Sequence, residues 1–276
     1  MRLNILRATF LFSFVLHLLI ASAVTPQSKV YDIRKFGAKG DGKTLSTTAI
    51  SSAIDACSKD GGGIVLIPKG VFLTGTFYLK DNVRLFIEKD ATLKATTDLK
   101  QYIPYVPLGD PSKYNSGGDG ENANNAIDPI WNRALILGIG ISNFSIEGEG
   151  VIDGCHVFDA QGEEKMRGPH AIIIAESRNF VMTGVTVNNA ANYAFMAYEI
   201  ENCLFSHLTF NEGWDGIHIR GGKNIVIRNS EFYTGDDAIA GGFWENFVIT
   251  DCHINSSCNG IRMIMPANDL TIAHCT

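Results

Sequence analysis

Five segments in the C-terminal half of the chain share one pattern, and this pattern decides the fold. They read NFVMTGVTV from Asn179, NCLFSHLTF from Asn202, NIVIRNSEF from Asn224, NFVITDCHI from Asn246 and DLTIAHC from Asp269. The steps between their first residues are 23, 22, 22 and 23. Each segment opens with Asn or Asp and continues with alternating apolar residues, which is the pattern of a short strand.

The repeat also places apolar residues in fixed columns. One column holds Phe180, Cys203, Ile225, Phe247 and Leu270, and another holds Met182, Phe205, Ile227, Ile249 and Ile272. A second short strand precedes each opening residue, as in GIHI from Gly216 and AIAG from Ala238. A repeat of this length with no helical pattern predicts the coil of a parallel β-helix, with successive coils roughly 4.8 Å apart. The fixed leucine framework of a leucine-rich repeat is missing from these columns.

The N-terminal part of the chain predicts how the β-helix begins. STTAISSAIDAC, residues 46–57, has the pattern of an amphipathic helix with Ser46 as its cap, and such a helix would cover the open end of the first coil. Residues 99–130 are polar and predict a long loop beside the body of the fold. The predicted fold class is therefore all-β: a single-stranded parallel β-helix, or solenoid, with an N-terminal capping helix.

The composition and the N-terminal residues of the chain limit the class of protein to which it can belong. The chain is 45% apolar and carries a net charge of −6 without a basic block, which argues against a nucleic-acid partner. Residues 1–23 combine Arg2 and Arg7 with an apolar run and Ala21-Ser22-Ala23, as in a secretory signal peptide. The run is shorter than the roughly 20 residues of a membrane span. We expect a secreted or periplasmic protein, a monomer without a membrane partner, with one β-helix domain over residues 24–276.

Polar residues recur at the start of three successive strands. Aligning the strands from Gly216, Ala238 and Gly260 puts Asp215, Asp237 and Asn259 in one column, with Asp236 one residue before it. The same column holds His170 and Tyr193 in the two preceding coils, and the next outward-facing column holds His218, Ala240 and Arg262. The sequence therefore predicts a cluster of carboxylates on one wall of the β-helix.

Three carboxylates on adjacent coils leave three interpretations open. Like charges that lie close together raise at least one pKa, which suits a general acid, and two carboxyl groups flanking a sugar bond are the apparatus of glycoside hydrolysis. Asp is also common at turns, where it is only solvated. The third interpretation is a calcium site, because calcium prefers clustered oxygen atoms as ligands.

Several motifs resemble glycoside hydrolase family 28, the polygalacturonases and their relatives. TGDDAIA, with WDGIHI one coil upstream, is similar to the core of that family. FGAKGDGKT, GGGIVLIPKGVFLTG, NVRLFIEKDATL and NFSIEGEGVIDG resemble its N-terminal coils, so the resemblance covers nearly the whole mature chain. It implies a right-handed β-helix that hydrolyses pectic, galacturonide-type or related bonds with inversion, acting on a polysaccharide or oligosaccharide without cofactor or metal. It also implies that Asp236 is the general acid and that Asp215 and Asp237 hold and activate the water.

The chain departs from the family pattern at three places. Gly213-Trp214-Asp215 stands where the family usually has Asn-Thr-Asp, and Cys258-Asn259-Gly260 stands where it has Gly-His-Gly. The family's Arg-Ile-Lys motif has no match, so we expect the chain to lack the C-terminal coils. The substrate-binding candidates that remain are His218, Arg262, Asn259, Trp214, Tyr193 and His170. The alternatives to a hydrolase are a non-catalytic carbohydrate-binding β-helix and a calcium-dependent polysaccharide lyase.

Overall fold

The computed structural model describes residues 28–110, 114 and 126–276. The predicted signal peptide, residues 1–23, lies outside these residues. The described chain forms one α-helix, α1 (Thr47–Lys59), and short 3-10 turns at Ile33–Phe36, Leu99–Gln101 and Glu163–Lys165. All its other regular elements are strands.

The strands form two parallel sheets that wind around a common core. One sheet contains β1 (Val30–Asp32), β3 (Gly63–Ile67), β5 (Phe77–Tyr78), β6 (Val83–Ile87), β8 (Ala134–Ile139), β9 (Ser142–Gly148), β11 (His170–Thr183), β13 (Phe195–Ser206), β15 (Ile217–Arg228), β17 (Ile239–Thr250), β19 (Ile261–Met263) and β20 (Ala267–Ala273). The other contains β2 (Asp41–Leu45), β4 (Gly70–Thr74), β7 (Ala91–Ala95), β10 (Val151–Asp153), β12 (Thr186–Asn188), β14 (Thr209–Asn211), β16 (Glu231–Thr234) and β18 (His253–Ser256). Each coil therefore contributes to both sheets, which is the architecture of a β-helix.

The predicted columns are confirmed by the register of the strands. Phe180 pairs with Cys203, and the same column continues through Ile225, Phe247 and Leu270. The second apolar column is aligned in the same way, from Met182 to Ile272. A repeat of constant length gives each coil the same register on its neighbour, so residues one repeat apart face the same surroundings.

The prediction of strand boundaries within a coil was wrong. The sequence predicts two separate strands before and after each opening Asn, but β11, β13, β15 and β17 each run through that position as one long, bent strand. The nine-residue segment from Asn179 is itself divided, because Gly184 adopts φ +79° and turns the chain from β11 into β12 of the other sheet. Alternation continues across such a corner, so periodicity alone does not reveal it.

The opening Asn residues form a hydrogen-bonded ladder at the bend of each long strand. Each has a left-handed backbone, with φ between 51° and 58° from Asn143 to Asn246, a conformation that Asn tolerates better than most residues. The Nδ2 atom of Asn224 donates to Oδ1 of Asn202 at 2.8 Å, and that of Asn246 donates to Asn224 at 2.8 Å. Asp269 occupies the next position of the column and is also left-handed, with φ 54°. The recurrent Asn therefore has a physical reason in both backbone and side chain.

Helix α1 caps the first coil, as predicted. It buries Ala49, Ile50, Ala53, Ile54 and Cys57 against the N-terminal strands. Ser46 occupies the N-cap position, but its hydroxyl makes no capping hydrogen bond, so the prediction that its side chain caps the helix was wrong. That hydroxyl instead accepts from the Lys39 amide at 3.3 Å and donates to the Thr44 carbonyl at 3.3 Å.

Aromatic residues from the predicted long loop, together with Trp131 directly after it, cover part of the outer face of the first sheet. Tyr105, Tyr114 and Trp131 pack on the outward-facing side chains of β8, β11 and β13, among them Met196 and Tyr198. The indole Nε1 of Trp131 donates to the Tyr198 hydroxyl at 2.9 Å. This aromatic cover forms one border of the surface on which the predicted carboxylates lie.

Within the described residues, no helix has the length and hydropathy that a membrane crossing requires.

Candidate active site

The three predicted acids lie together on adjacent coils. Asp215 precedes β15, and Asp236 and Asp237 precede β17. Main-chain hydrogen bonds align the turns: the Gly216 amide donates to the Asp237 carbonyl at 3.0 Å, and the Ala238 amide donates to the Asn259 carbonyl at 3.0 Å. The predicted column of Asp215, Asp237 and Asn259 is thus present in the fold.

The three carboxylates differ in their access to solvent. Asp215 and Asp237 are each only 2% exposed, whereas the side chain of Asp236 is 24% exposed. Of the three acids, Asp236 is therefore the one that a bound molecule reaches most directly.

Asp237 is held by residues of the following coil. Its Oδ1 accepts hydrogen bonds from the main-chain amide of Asn259 at 3.1 Å and from Nδ2 of the same residue at 2.7 Å. Its Oδ2 lies 3.2 Å from Nη1 of Arg262, whose side chain is 54% exposed. Asn259 and Arg262 were both predicted to lie in the site, and both contact the carboxyl group of Asp237. These contacts fix the orientation of the Asp237 carboxyl group towards the following coil.

Asp236 is bound by a residue that the sequence did not single out. Arg167 donates from Nη2 to Oδ2 of Asp236 at 3.3 Å, and its guanidinium lies 3.5 Å from the centre of the Trp214 ring. Arg167 also makes ion pairs with Glu163 and Glu164 and is almost fully buried. It belongs to an irregular segment between β10 and β11, where no periodicity marks a residue that points into the site.

Asp215 forms a buried chain with two residues of β15. Oδ2 of Asp215 lies 2.6 Å from Nδ1 of His218, and Nε of Arg220 donates to Nε2 of His218 at 3.1 Å. Burial raises the pKa of Asp215 well above its ordinary value, and the charges of Asp236 and Asp237 raise it further. Burial and the nearby Arg220 lower the pKa of His218 well below its ordinary value.

The two predicted residues upstream of Asp215 lie beneath the aromatic cover. Tyr193 stacks on His218 with ring centres 4.9 Å apart, and His170 packs against the edge of Trp131. The main-chain amide of Tyr193 donates to Nδ1 of His170 at 3.2 Å. Burial lowers the pKa of His170 to about 3. Both residues therefore support the wall from behind rather than present a face to solvent.

A cavity of about 480 Å³ lies beside Gly235, the residue before Asp236, on the side of the second sheet. Trp214 and Gly235, the neighbours of Asp215 and Asp236 in the chain, line it together with Tyr233, Asn255 and His156. An aromatic ring beside polar side chains is a surface on which a sugar ring can stack and form hydrogen bonds.

The donor atoms near Asp236 do not favour a calcium site. Ligand atoms of Asp236, Asp237 and Cys258 lie within 4.8 Å of one another. A thiol is a soft ligand, whereas calcium takes oxygen ligands. The two carboxylates are in addition already paired with Arg167 and Arg262. The arrangement is better suited to proton transfer between carboxyl groups and a bound substrate.

Comparison with known proteins identifies what the chain is similar to. The model of the family described as rhamnogalacturonase A/epimerase, pectate lyase-like, matches residues 30–262. The chain is 28% identical to an exo-poly-α-D-galacturonosidase of Dickeya chrysanthemi over 263 residues, which are 80% of this chain and 43% of that protein. The chain spans about half the length of the curated relatives it matches.

Solved structures of two exopolygalacturonases share the fold. The enzyme of Thermotoga maritima gives a TM-score of 0.72 at 21% identity, covering 90% of this chain and 66% of that one. The family 28 enzyme of Yersinia enterocolitica gives 0.67 at 22% identity, covering 89% and 53%. The predicted fold class, a right-handed parallel β-helix, and the predicted resemblance to family 28 are both confirmed.

Proposed function

The chain belongs to the rhamnogalacturonase A/epimerase, pectate lyase-like family, and on that premise we propose that it is a secreted glycosidase that cleaves pectic, galacturonide-type or related polysaccharides with inversion. The names of its relatives support a substrate of the polygalacturonan class. The observation that carries the proposal is the meeting of Asp215, Asp236 and Asp237 at one place, each with different partners. Differing surroundings are what separates an acid from a base among carboxyl groups.

The three acids divide one reaction between them. Asp236, the most accessible, donates its proton to the glycosidic oxygen as the bond from that oxygen to the anomeric carbon breaks. A water held between Asp215 and Asp237 attacks the anomeric carbon from the other side and gives its proton to one of these carboxylates. The product carries a new hydroxyl of inverted configuration, and the acids return to their starting states when they exchange protons with solvent.

The other predicted site residues take distinct roles around this centre. Arg262 is half exposed beside Asp237, so it can meet a uronate carboxylate of the substrate while it pairs with the acid. Trp214 lines the cavity beside Asp236 and offers a stacking surface to a sugar. Asn259 orients Asp237, and the buried His218, Tyr193 and His170 support the wall without contact to the sugar.

Release of reducing ends from polygalacturonate, methyl-esterified pectin and rhamnogalacturonan tests the proposal. We expect cleavage of at least one of these polymers, and an Asp236→Asn variant that is slower by about 10² to 10⁴-fold, the usual contribution of a general acid. Asp269→Asn is the matched control, because it makes the same substitution at the end of the Asn ladder, away from the site. Its rate should equal that of the wild type.

Three outcomes would contradict the proposal. Activity that is unchanged in Asp236→Asn would remove that residue from the chemistry. Binding of oligogalacturonides without turnover by the wild type would favour a carbohydrate-binding β-helix. Products that absorb in the ultraviolet, formed only without a chelator, would favour a calcium-dependent lyase.

The predicted signal peptide, export and monomeric state stay predictions, which cell fractionation and light scattering would check.

A further inference from the structure

Asp215, His218 and Arg220 form a linear chain of polar side chains inside the wall of the β-helix. All three are at most 3% exposed. Residues 218 and 220 lie two positions apart on β15 and so share one face of the strand. Nη1 of Arg220 also donates to the main-chain carbonyl of Tyr114 at 2.8 Å, which ties the chain to the aromatic cover.

The hydrogen bonds of the chain determine where its protons lie. A guanidinium nitrogen can only donate, so Nε2 of His218 must accept from Nε of Arg220. A neutral imidazole has one proton, which is then on Nδ1 and points at Oδ2 of Asp215, 2.6 Å away. Oδ2 is thereby an acceptor, because a proton on it would face the proton on Nδ1.

Burial and two neighbouring acids oppose a charge on Asp215, whereas Arg167 favours it. The pKa of Asp215 is raised by burial and by Asp236 and Asp237, so the carboxylate is a strong proton acceptor. The neighbouring elements contribute further charged or titratable groups, namely Arg167 and Glu163 from the segment before β11, His170 on β11, Tyr193 before β13, and Arg262 on β19. Burial, and after it the charges of Arg220, His170 and Arg262, lower the pKa of His218, so the imidazole stays neutral.

We propose that Arg220 is a positioning residue that fixes the tautomer of His218 and thereby keeps Asp215 as the carboxylate that takes the proton of the attacking water. Neither the sequence motifs nor the family resemblance assigned a role to Arg220. The consequence for catalysis rests on the proposed function, but the state of His218 does not.

The ¹⁵N NMR spectrum of the imidazole groups tests the proposal without reference to activity. The chain has seven histidines, and the signal of His218 is identified by its loss in His218→Gln. We expect a neutral ring protonated on Nδ1 from pH 5 to pH 8. A ring protonated on Nε2, or an imidazolium in this range, would overturn the proposal even if the enzyme cleaves pectin.

Kinetics of Arg220 variants test the consequence. In Arg220→Met the loss of a neighbouring positive charge lets His218 take up a proton at higher pH, and an imidazolium makes Asp215 a poorer base. We expect kcat to fall about 10- to 100-fold with KM nearly unchanged, and the acid limb of the pH profile of kcat to move up by about one unit. Arg228→Met, an exposed residue of the same strand, is the control and should retain the wild-type profile.

Two results would contradict the role of Arg220. A raised KM with unchanged kcat would indicate that Arg220 binds substrate, and an unmoved acid limb would show that it does not act through His218. Thermal unfolding establishes first that Arg220→Met folds. If it does not, Arg220→Lys keeps a cationic donor and should retain the acid limb of the wild type, while a shift of that limb would contradict the proposal.

Discussion

Removing the charge of Asp215 should stabilise the protein while it abolishes activity. In Asp215→Asn the side-chain oxygen can still accept from Nδ1 of His218, the contact that measures 2.6 Å in the wild type, but the new amide nitrogen replaces Oδ1, which accepts from the main-chain amide of Asp237 at 3.3 Å. The substitution removes a carboxylate that is 2% exposed and lies beside two other carboxylates. Natural active sites commonly trade stability for function in this way.

The magnitude follows from the raised pKa of Asp215. Every unit by which folding raises that pKa costs the ionised wild type about 1.4 kcal/mol at neutral pH. Against this gain, exchanging a charged for a neutral acceptor weakens the hydrogen bonds of the side chain and costs the variant about 1 kcal/mol. Because the pKa is raised well above its ordinary value, we expect the relief of this cost to exceed the lost hydrogen-bond energy, with a net stabilisation at pH 7 of the size usual for a single substitution, about 1 to 2 kcal/mol. In a chain of this size that corresponds to a rise in Tm of roughly 2 to 8 °C.

The pH dependence gives the prediction its sign. A carboxyl group whose pKa is raised by folding favours the folded state while it is protonated, below its unfolded pKa of about 3.9. That contribution is lost as the pH rises through the folded pKa. The Tm of Asp215→Asn should therefore exceed that of the wild type at pH 7, and the difference should shrink towards pH 3.5.

Thermal unfolding at both pH values is the assay. Asp55→Asn is a matched control on α1, where the carboxylate is exposed and paired with Lys80, and it should change the free energy of unfolding by less than about 1 kcal/mol. A lower Tm for Asp215→Asn at pH 7, or a difference that does not depend on pH, would refute the reasoning that burial and like charges destabilise the ionised form of Asp215.

Two further substitutions, Asp269→Asn and Gly241→Ala, with Gly37→Ala as the control for the second, test how the coils are held together. Asp269→Asn should stabilise the protein by about 0.5 to 1.5 kcal/mol, because the new amide can donate to Asn246 and extend the ladder; a fall in Tm would contradict this. Gly241→Ala should destabilise it by about 3 kcal/mol or more, since φ is +131° and the added Cβ would lie 1.8 Å from the Ile219 carbonyl oxygen. Gly37→Ala, with φ +100° and nothing within 4 Å of the added atom, should cost only about 1 to 2 kcal/mol in denaturant unfolding, and equal losses would show that the close contact is irrelevant.

The columns of the β-helix could be predicted because each coil repeats the environment of the last. Two steps of 22 residues bring Asp215, Asp237 and Asn259 into register, and that register is present in the structure. The corners could not be predicted, because Gly184 turns the chain into the second sheet without interrupting the alternation of apolar residues. Repetition specifies which residues share a column, but not where a coil bends.

The site was predictable only where its residues lie on the repeat. The acids, His218 and Arg262 follow from the alignment of coils, whereas Arg167 reaches Asp236 from an irregular segment and has no pattern to mark it. Arg220 shares the face of His218 on β15, a signal that could have identified it. Its importance was hidden because a buried arginine is unusual, and alternation predicts a side chain in solvent there.

The configuration of the first product tests the account most directly. ¹H NMR of an oligogalacturonide digest, recorded before the sugars mutarotate, shows which anomer forms first. If Asp236 protonates the leaving group while Asp215 and Asp237 direct water to the opposite face, the new reducing end forms from the α-linkage as the β-anomer, and Asp236→Asn yields almost none. An α-anomer or an unsaturated sugar as the first product would contradict the division of roles among these three acids.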